Sequence, residues 1–217
     1  MVEGTVNRVV GTLHRGFGYR TAKRILDSSL SALALAVLWP FLLMLSLLIV
    51  LDSPGAGPIF VQTRVGKDGK PFRMYKFRTM VPGAEAMRRA LAERNEMDGP
   101  VFKLKNDPRI TRLGKFLRRS GIDELPQLLN VLKGDMSLVG PRPGLAQEAA
   151  NYDAFAARRL TVLPGITCYW QIQPRRNSLR FREWMELDVR YVREQSMLTD
   201  LRILLATGKA IWRMDGQ

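Results

Sequence analysis

The dominant feature of the hydropathy pattern is an uncharged stretch from Ser28 to Leu51, bounded by Asp27 and Asp52 and preceded by Arg8, Arg15, Arg20, Lys23 and Arg24. About 20 apolar residues cross a bilayer as a helix, so the run is long enough to do so with its basic flank on the cytoplasmic side. A secretory signal fits poorly, because the apolar core is too long and no small-residue cleavage site precedes Asp52-Ser53-Pro54. Pro40, directly after Trp39, removes a backbone donor at the middle of the run. The residues alone leave two readings open. One is a kinked span; the other is a re-entrant hairpin whose halves enter and leave by one face, with Ser31 or Ser46 covering freed carbonyls. No second run of spanning length follows, which excludes multi-span transporters and transferases.

Beyond Asp52 the pattern is that of a soluble domain. Residues 58–65 and 71–79 alternate apolar with polar side chains around Gly66-Lys67-Asp68-Gly69, predicting a β-hairpin whose polar face carries Gln62, Arg64, Arg73 and Lys76. Helical spacing predicts a surface helix over 83–94 and a basic amphipathic helix over 109–119, with Ile110, Leu113, Phe116 and Leu117 on one face. The latter pattern suits either a membrane interface or a core-facing helix of a basic protein. Further amphipathic helices are predicted from Phe181 to Tyr191 and from Asp200 to Trp212. The fold class is therefore α+β and mainly helical. Residues 1–52 form the basic N-terminus and membrane helix, and 53–217 a catalytic domain.

Composition narrows the chemistry. The 217 residues, 46% hydrophobic, suffice for one domain with a core, and the net charge of +14 requires an anionic partner: nucleic acid, lipid headgroups or a phosphorylated substrate. The apolar run argues against nucleic acid. Cys168 is the lone cysteine and His14 the lone histidine, the latter in the basic flank, so cysteine zinc clusters and histidine bases are poor candidates and carboxylates come first. Phosphate loops, Gly-x-Gly-x-x-Gly, His-Glu-x-x-His and Gly-x-Ser-x-Gly are absent.

The richest segment is 120–143. Asp123 suits a helix N-cap, Pro126 its first turn, positions 125, 128, 129 and 132 its apolar face, and Gly134 its end. The pair Asp123-Glu124 at a helix start either caps the helix or faces a phosphate held there. An aspartate is ionised near neutral pH and attacks phosphorus without a general base, but it must share the site with cations that cancel the repulsion. A divalent metal on Glu124 and nearby arginines would serve. Arg142, in Gly140-Pro141-Arg142-Pro143, sits on a backbone stiffened by its flanking prolines, and Arg175 follows Pro174. Asp188 reads either as a site acid or as a helix-face charge paired with Arg190 or Arg193.

These motifs together resemble the bacterial sugar transferase family, the monotopic phosphoglycosyl transferases. The likeness runs from Lys23 to Thr207. It includes Lys23-Arg24-x-x-Asp27, Gly57-Pro58-Ile59-Phe60-x-Gln62-x-Arg64-x-Gly66, Tyr75-Lys76-Phe77-Arg78-Thr79-Met80 and Asp107-Pro108-Arg109-Ile110-Thr111. It continues through Asp123-Glu124-Leu125-Pro126-Gln127, Ser137-Leu138-Val139-Gly140-Pro141-Arg142-Pro143, Pro164-Gly165-Ile166-Thr167 and Trp170-Gln171. The resemblance implies a re-entrant helix broken at Pro40, helices in the interface, Asp123 as nucleophile and Glu124 on Mg2+. It also implies a UDP-sugar donor, a polyprenyl phosphate acceptor and UMP release at the cytoplasmic face of the inner membrane. Arg142 would grip phosphate and Asp188 would be a further site acid, with Lys76, Arg78, Arg109, Arg118 and Arg175 as candidate anion contacts. A hexose donor is expected from the insertion around Gly99-Pro100-Val101-Phe102-Lys103. Cys168-Tyr169 and Pro174 depart from the family's usual Gly-Leu and Gly. A homodimer is left open, and the rival reading is a non-enzymatic, membrane-bound assembly factor.

Overall fold

The computed structural model describes residues 16–212 except 97–99, 103, 105 and 175–177. Its first element, helix α1 (Phe17–Asp52), is 36 residues long and runs through Pro40 as one helix rather than two. Buried Asp27, Ser31, Leu45 and Ile49 mark one face of α1, and Leu33, Val37, Trp39, Leu43 and Leu47 are exposed on the others. An apolar helix that leaves most of its apolar side chains uncovered needs a non-aqueous neighbour.

Both arms of α1 are fastened to the same domain. In the first arm, Ala34 and Leu35 pack on a core of Leu128, Val131, Met136, Val139 and Tyr191. Arg24 donates to the Val131 and Leu132 carbonyls at 2.5 and 2.8 Å. Those carbonyls lie near the end of α4 (Leu128–Lys133), where the helix dipole favours a cation. In the second arm, Leu42, Leu45 and Ile49 pack with Phe77 and Leu117, and Arg78 donates to the Ser53 carbonyl at 3.1 Å.

The predicted hairpin is present as β1 (Ile59–Val65) and β2 (Pro71–Phe77), antiparallel. Its register opposes Phe60 to Lys76, Gln62 to Met74 and Arg64 to Phe72. Side chains alternate along a strand, so Gln62, Arg64 and Lys76 share a face and Arg73 lies on the other, contrary to the expected grouping. The wholly buried Asn130 ties β2 to α4, accepting from the Tyr75 amide at 3.0 Å and donating to the Arg73 carbonyl at 2.7 Å.

Helix α2 spans Ala84–Ala90, and α3 spans Arg112–Ser120, capped by the Thr111 side chain and closed by left-handed Gly121. Leu117 of α3 is fully buried while Phe116 is 49% exposed, so the predicted apolar face is split between core and surface. A 3-10 turn, Ile122–Gln127, leads into α4. Unforeseen from the sequence is a parallel pair of three-residue strands, β3 (Ser137–Val139) and β4 (Gly165–Thr167). Helices α5 (Ala146–Ala150), α6 (Phe181–Glu194) and α7 (Met197–Trp212) complete the order.

The β3–β4 pair depends on two glycines. A Cβ on Gly165 would lie 2.6 Å from the Gly140 carbonyl oxygen and 2.7 Å from its Cα. Gly165→Ala is therefore expected to destabilise the fold by about 1–3 kcal/mol. Gly208→Ala, on the open face of α7 with nothing within 4 Å of the new methyl, should stabilise it by about 0.5–1 kcal/mol. Thermal melts of the two variants in one detergent would check the opposite signs.

Candidate active site

The carboxylate pair sits in the 3-10 turn, where side chains three apart nearly eclipse. Ile122 joins the Phe77–Leu117 cluster and Leu125 the Leu128–Val131 core, which turns Asp123 and Glu124 away from both. The turn starts on left-handed Gly121 with no side-chain cap, so Asp123 is not the expected N-cap. Gly134 does close α4 in the left-handed conformation. The pair thus owes its placement to the turn and not to a capping role.

Both acids line a cavity of about 670 Å3 together with Arg64, Lys76, Arg118 and Arg142. Lys76, on the Gln62–Arg64 face of the hairpin, pairs with Glu124 at 2.7 Å, and Arg142 approaches the same oxygen at 3.7 Å. Burial pushes Asp123 up to about 6 against the pull of Lys76, Arg118 and Arg142, with Glu124 adding to the rise. Burial likewise lowers Lys76 and Arg118, and brings Arg64 down to about 10. For all three, the charge of Arg142 is a further cause. Arg64, Lys76, Arg78, Arg118, Arg119 and Arg142 line the cavity against the acids Glu85, Asp123 and Glu124, so positive charge is in excess there, as at an anion site.

Arg142 is held from several sides. Gly140 donates its amide to Thr167 at 3.0 Å, and Gly165 donates to the Pro141 carbonyl at 2.9 Å. Arg64 reaches the Pro143 carbonyl at 3.2 Å, Tyr191 donates to the Val139 carbonyl at 2.9 Å, and Arg159 donates to the carbonyl of Arg142 itself. Asp188 is fully buried and pairs with Arg159 at 2.5 Å, not with Arg190 or Arg193. It supports the loop from behind instead of lining the cavity.

The remaining predicted residues divide. Arg118 lines the cavity and donates to Thr79 at 2.9 Å. Arg78 also lines it, yet one of its nitrogens is spent on the Ser53 and Ala56 carbonyls at the exit of α1. Arg109 is committed to Asp107, with contacts of 2.9 and 2.6 Å. Arg175 lies outside the described residues. Sequence reasoning missed Arg64 and Arg159 as site-building residues. The strand alternation that flagged the Gln62–Arg64 face was the available signal for the first; nothing local marked the second.

Among the described residues no group of three or more His, Cys, Asp or Glu side chains could cage a metal alone. Mg2+ commonly takes one or two carboxylates and completes its shell with water and substrate phosphates. The Asp123–Glu124 pair facing an open cationic cavity fits a metal shared with a diphosphate and does not fit a protein-only cage.

A family model described as "Bacterial sugar transferase" matches residues 18–214. The chain is 44% identical over 195 residues to the galactosyl transferase CpsE of Streptococcus agalactiae, a match covering 90% of this chain and 43% of the relative. It is 41% identical over 202 residues to the undecaprenyl-phosphate galactose phosphotransferase of Salmonella typhimurium, covering 91% and 42%. To the exopolysaccharide production protein ExoY of Sinorhizobium fredii it is 38% identical over 195 residues, covering 88% and 85%. The chain thus spans less than half the length of the first two relatives and most of the third.

The raised Asp123 carries a stability consequence. Its carboxyl binds a proton more tightly folded than unfolded, so burying the ionised form opposes folding above about pH 6, and this penalty fades as pH falls toward 4. Asp123→Asn should therefore stabilise the protein at pH 7.5, in the absence of metal and donor, by about 1–3 kcal/mol. The gain should shrink to nothing near pH 4. Denaturation of both proteins across that range would check it; a stability loss at pH 7.5 would show instead that Asp123 is a net stabiliser of the surrounding cations.

Proposed function

The chain belongs to the bacterial sugar transferase family, and on that premise we propose that it transfers a hexose 1-phosphate from a UDP-hexose to polyprenyl phosphate. An Asp123 carboxylate oxygen attacks the sugar-bearing phosphorus; the bond from that phosphorus to the bridging oxygen breaks, and UMP leaves with both electrons. The phosphosugar ester on Asp123 is then attacked by a phosphate oxygen of the lipid. Asp123 is released as carboxylate and polyprenyl diphosphate hexose forms.

The observation that carries this reading is the placement of a buried, largely ionised carboxylate in a cavity whose cations outnumber its acids. Asp123 needs no base, because above about pH 6 it is already the nucleophile. Lys76 holds Glu124 in place, and Arg142 and Arg118 neutralise the diphosphate that would otherwise repel the attacking oxygen. Glu124, with Asp123 beside it, would hold Mg2+, which when bound adds positive charge at the phosphates. The two relatives matched along less than half their length are named for galactose transfer, which supports a hexose.

For the membrane arrangement we propose a hairpin: α1 bends at Pro40, its apolar flanks enter one leaflet, and the domain stays on the cytoplasmic face of the inner membrane. Support comes from both arms docking on one domain.

In the wild type, donor alone should release UMP and leave radiolabelled hexose phosphate on the protein. Asp123→Asn should carry no label and lose turnover by at least about a thousandfold. Unchanged turnover in that variant would remove the nucleophile assignment, and turnover surviving EDTA would remove the metal. For topology, Gly16→Cys and Asp52→Cys should both react with an impermeant maleimide in inverted membrane vesicles, against the buried Cys168. Labelling of only one of them would establish a span.

A further inference from the structure

A second cavity, of about 240 Å3, adjoins the first. Arg64, Arg118 and Arg142 line both, whereas Asp123, Glu124 and Lys76 line only the first. The two differ in character. On its apolar side the first is bounded by Ile59, Val61 and Ile211, each more than a third exposed at the surface. The second draws nothing from α7 and is walled by Tyr152, Phe181 and Trp184, with the acids Glu85, Asp107 and Glu148 and the cations Arg109 and Arg159 also on its lining.

We propose that the second cavity receives the nucleoside monophosphate half of the donor, an assignment that rests on the transfer reading above. In an in-line displacement the leaving group lies opposite the nucleophile. The guanidiniums common to both cavities mark where the diphosphate crosses between them. The sugar phosphate then lies on the Asp123 side and the departing nucleotide on the other. An aromatic wall suits a base, which stacks on such side chains at an energy worth about tenfold or more in affinity. Tyr152 and Phe181 stand 6.3 Å apart between ring centroids. Arg159 fixes the Tyr152 hydroxyl at 2.6 Å, so the wall is braced by the same buried cation that holds the Arg142 loop.

The arrangement also separates the two substrates. The nucleotide enters and leaves through a polar cavity, while the lipid phosphate approaches the phosphosugar through the apolar side of the first. Neither path requires the other to be vacated.

The test uses the full chain in nanodiscs, with UMP as probe. Phe181→Leu keeps much of the apolar volume and removes the aromatic face, and should weaken calorimetric UMP binding about tenfold; Phe181→Tyr should bind as the wild type does. Hexose 1-phosphate binding, and transfer from a preloaded labelled enzyme to polyprenyl phosphate, should be unchanged in both. As a measurement independent of any folding defect, irradiated 5-iodo-UMP on the wild type should crosslink to the peptide bearing Tyr152 or Phe181. Crosslinking beside Ile59 or Val61, UMP affinity unaffected by Phe181→Leu, or loss of hexose 1-phosphate binding in its place would each overturn the assignment. UMP bound at this wall by a protein that transfers no hexose phosphate would instead sink the transfer reading and leave the cavity's ligand intact.

Discussion

Mutual repulsion among Arg64, Lys76, Arg118 and Arg142, gathered around Asp123 and Glu124, is the constraint under which the centre of this protein is arranged. Uncompensated charge in a site withdrawn from water is costly, and burial depresses the pKa of three of these cations. Such a cluster persists only when the surrounding fold holds it in place. A ligand that brings the missing negative charge relieves it, and the donor proposed above would do so. Glu124 is an internal counter-charge to this cluster, 2.7 Å from Lys76 and 3.7 Å from Arg142. Asp123 is raised by the same burial against the pull of Lys76, Arg118 and Arg142, and the proposed attack on phosphorus falls to it.

Holding that arrangement explains much of the scaffold. The Arg142 loop is joined by backbone hydrogen bonds to β4, by Arg64 to the hairpin, and by Arg159 to α6 through Asp188. It is also joined to the membrane helix. Tyr191, which binds the Val139 carbonyl just before the loop, donates to Asp200 at 2.8 Å, and Lys23 of α1 pairs with the same Asp200 at 2.8 Å. Asp27 meanwhile accepts from Ser137 of β3 at 2.7 Å. The basic end of α1 is thereby part of the frame that orients Arg142, and its cations serve the fold as well as any lipid surface. Pre-ordering a guanidinium in this way reduces the entropy lost when it grips phosphate.

What the sequence revealed and what it hid divide by range. The hairpin, α3, α6, α7 and the apolar run were legible because each is a periodic pattern contained within itself. Asp123, Glu124, Lys76, Arg118 and Arg142 were legible from the family resemblance, and the fold gathers them into one cavity. Arg73 was misplaced because it lies three positions from Lys76, so alternation puts the two on opposite faces, and the pairing with β1 sets Lys76 beside Gln62 and Arg64. The 3-10 turn around Asp123 was hidden because Ser-Gly-Ile-Asp-Glu-Leu-Pro also reads as a capped helix start. Only the docking of Ile122 and Leu125 into separate apolar clusters decides between them. Arg78 and Arg109 could not be told from site cations, since their partners, a carbonyl of Ser53 and the carboxylate of Asp107, become visible only in three dimensions. The β3–β4 pair and Arg159 were beyond reach for the same reason: a parallel pairing of three-residue strands and a buried ion pair 29 positions apart leave no periodic trace.

The position of the cavity relative to the apolar surface completes the physical picture. Ile59, Phe60 and Val61 open β1 with more than a third of each side chain exposed, and the same residues form the cavity's apolar lip. Exposed apolar side chains are unfavourable in water and favourable against lipid, which suits this lip to the bilayer boundary of the arrangement proposed above. The consequence is electrostatic as much as hydrophobic. Lipid over the lip would exclude water from the charges beneath, lowering the effective dielectric and strengthening the pull of Arg118 and Arg142 on a phosphate. On the proposed reading membrane attachment and phosphate chemistry are coupled: the surface that would seat the protein on the bilayer would also close the site in which the cations outnumber the acids.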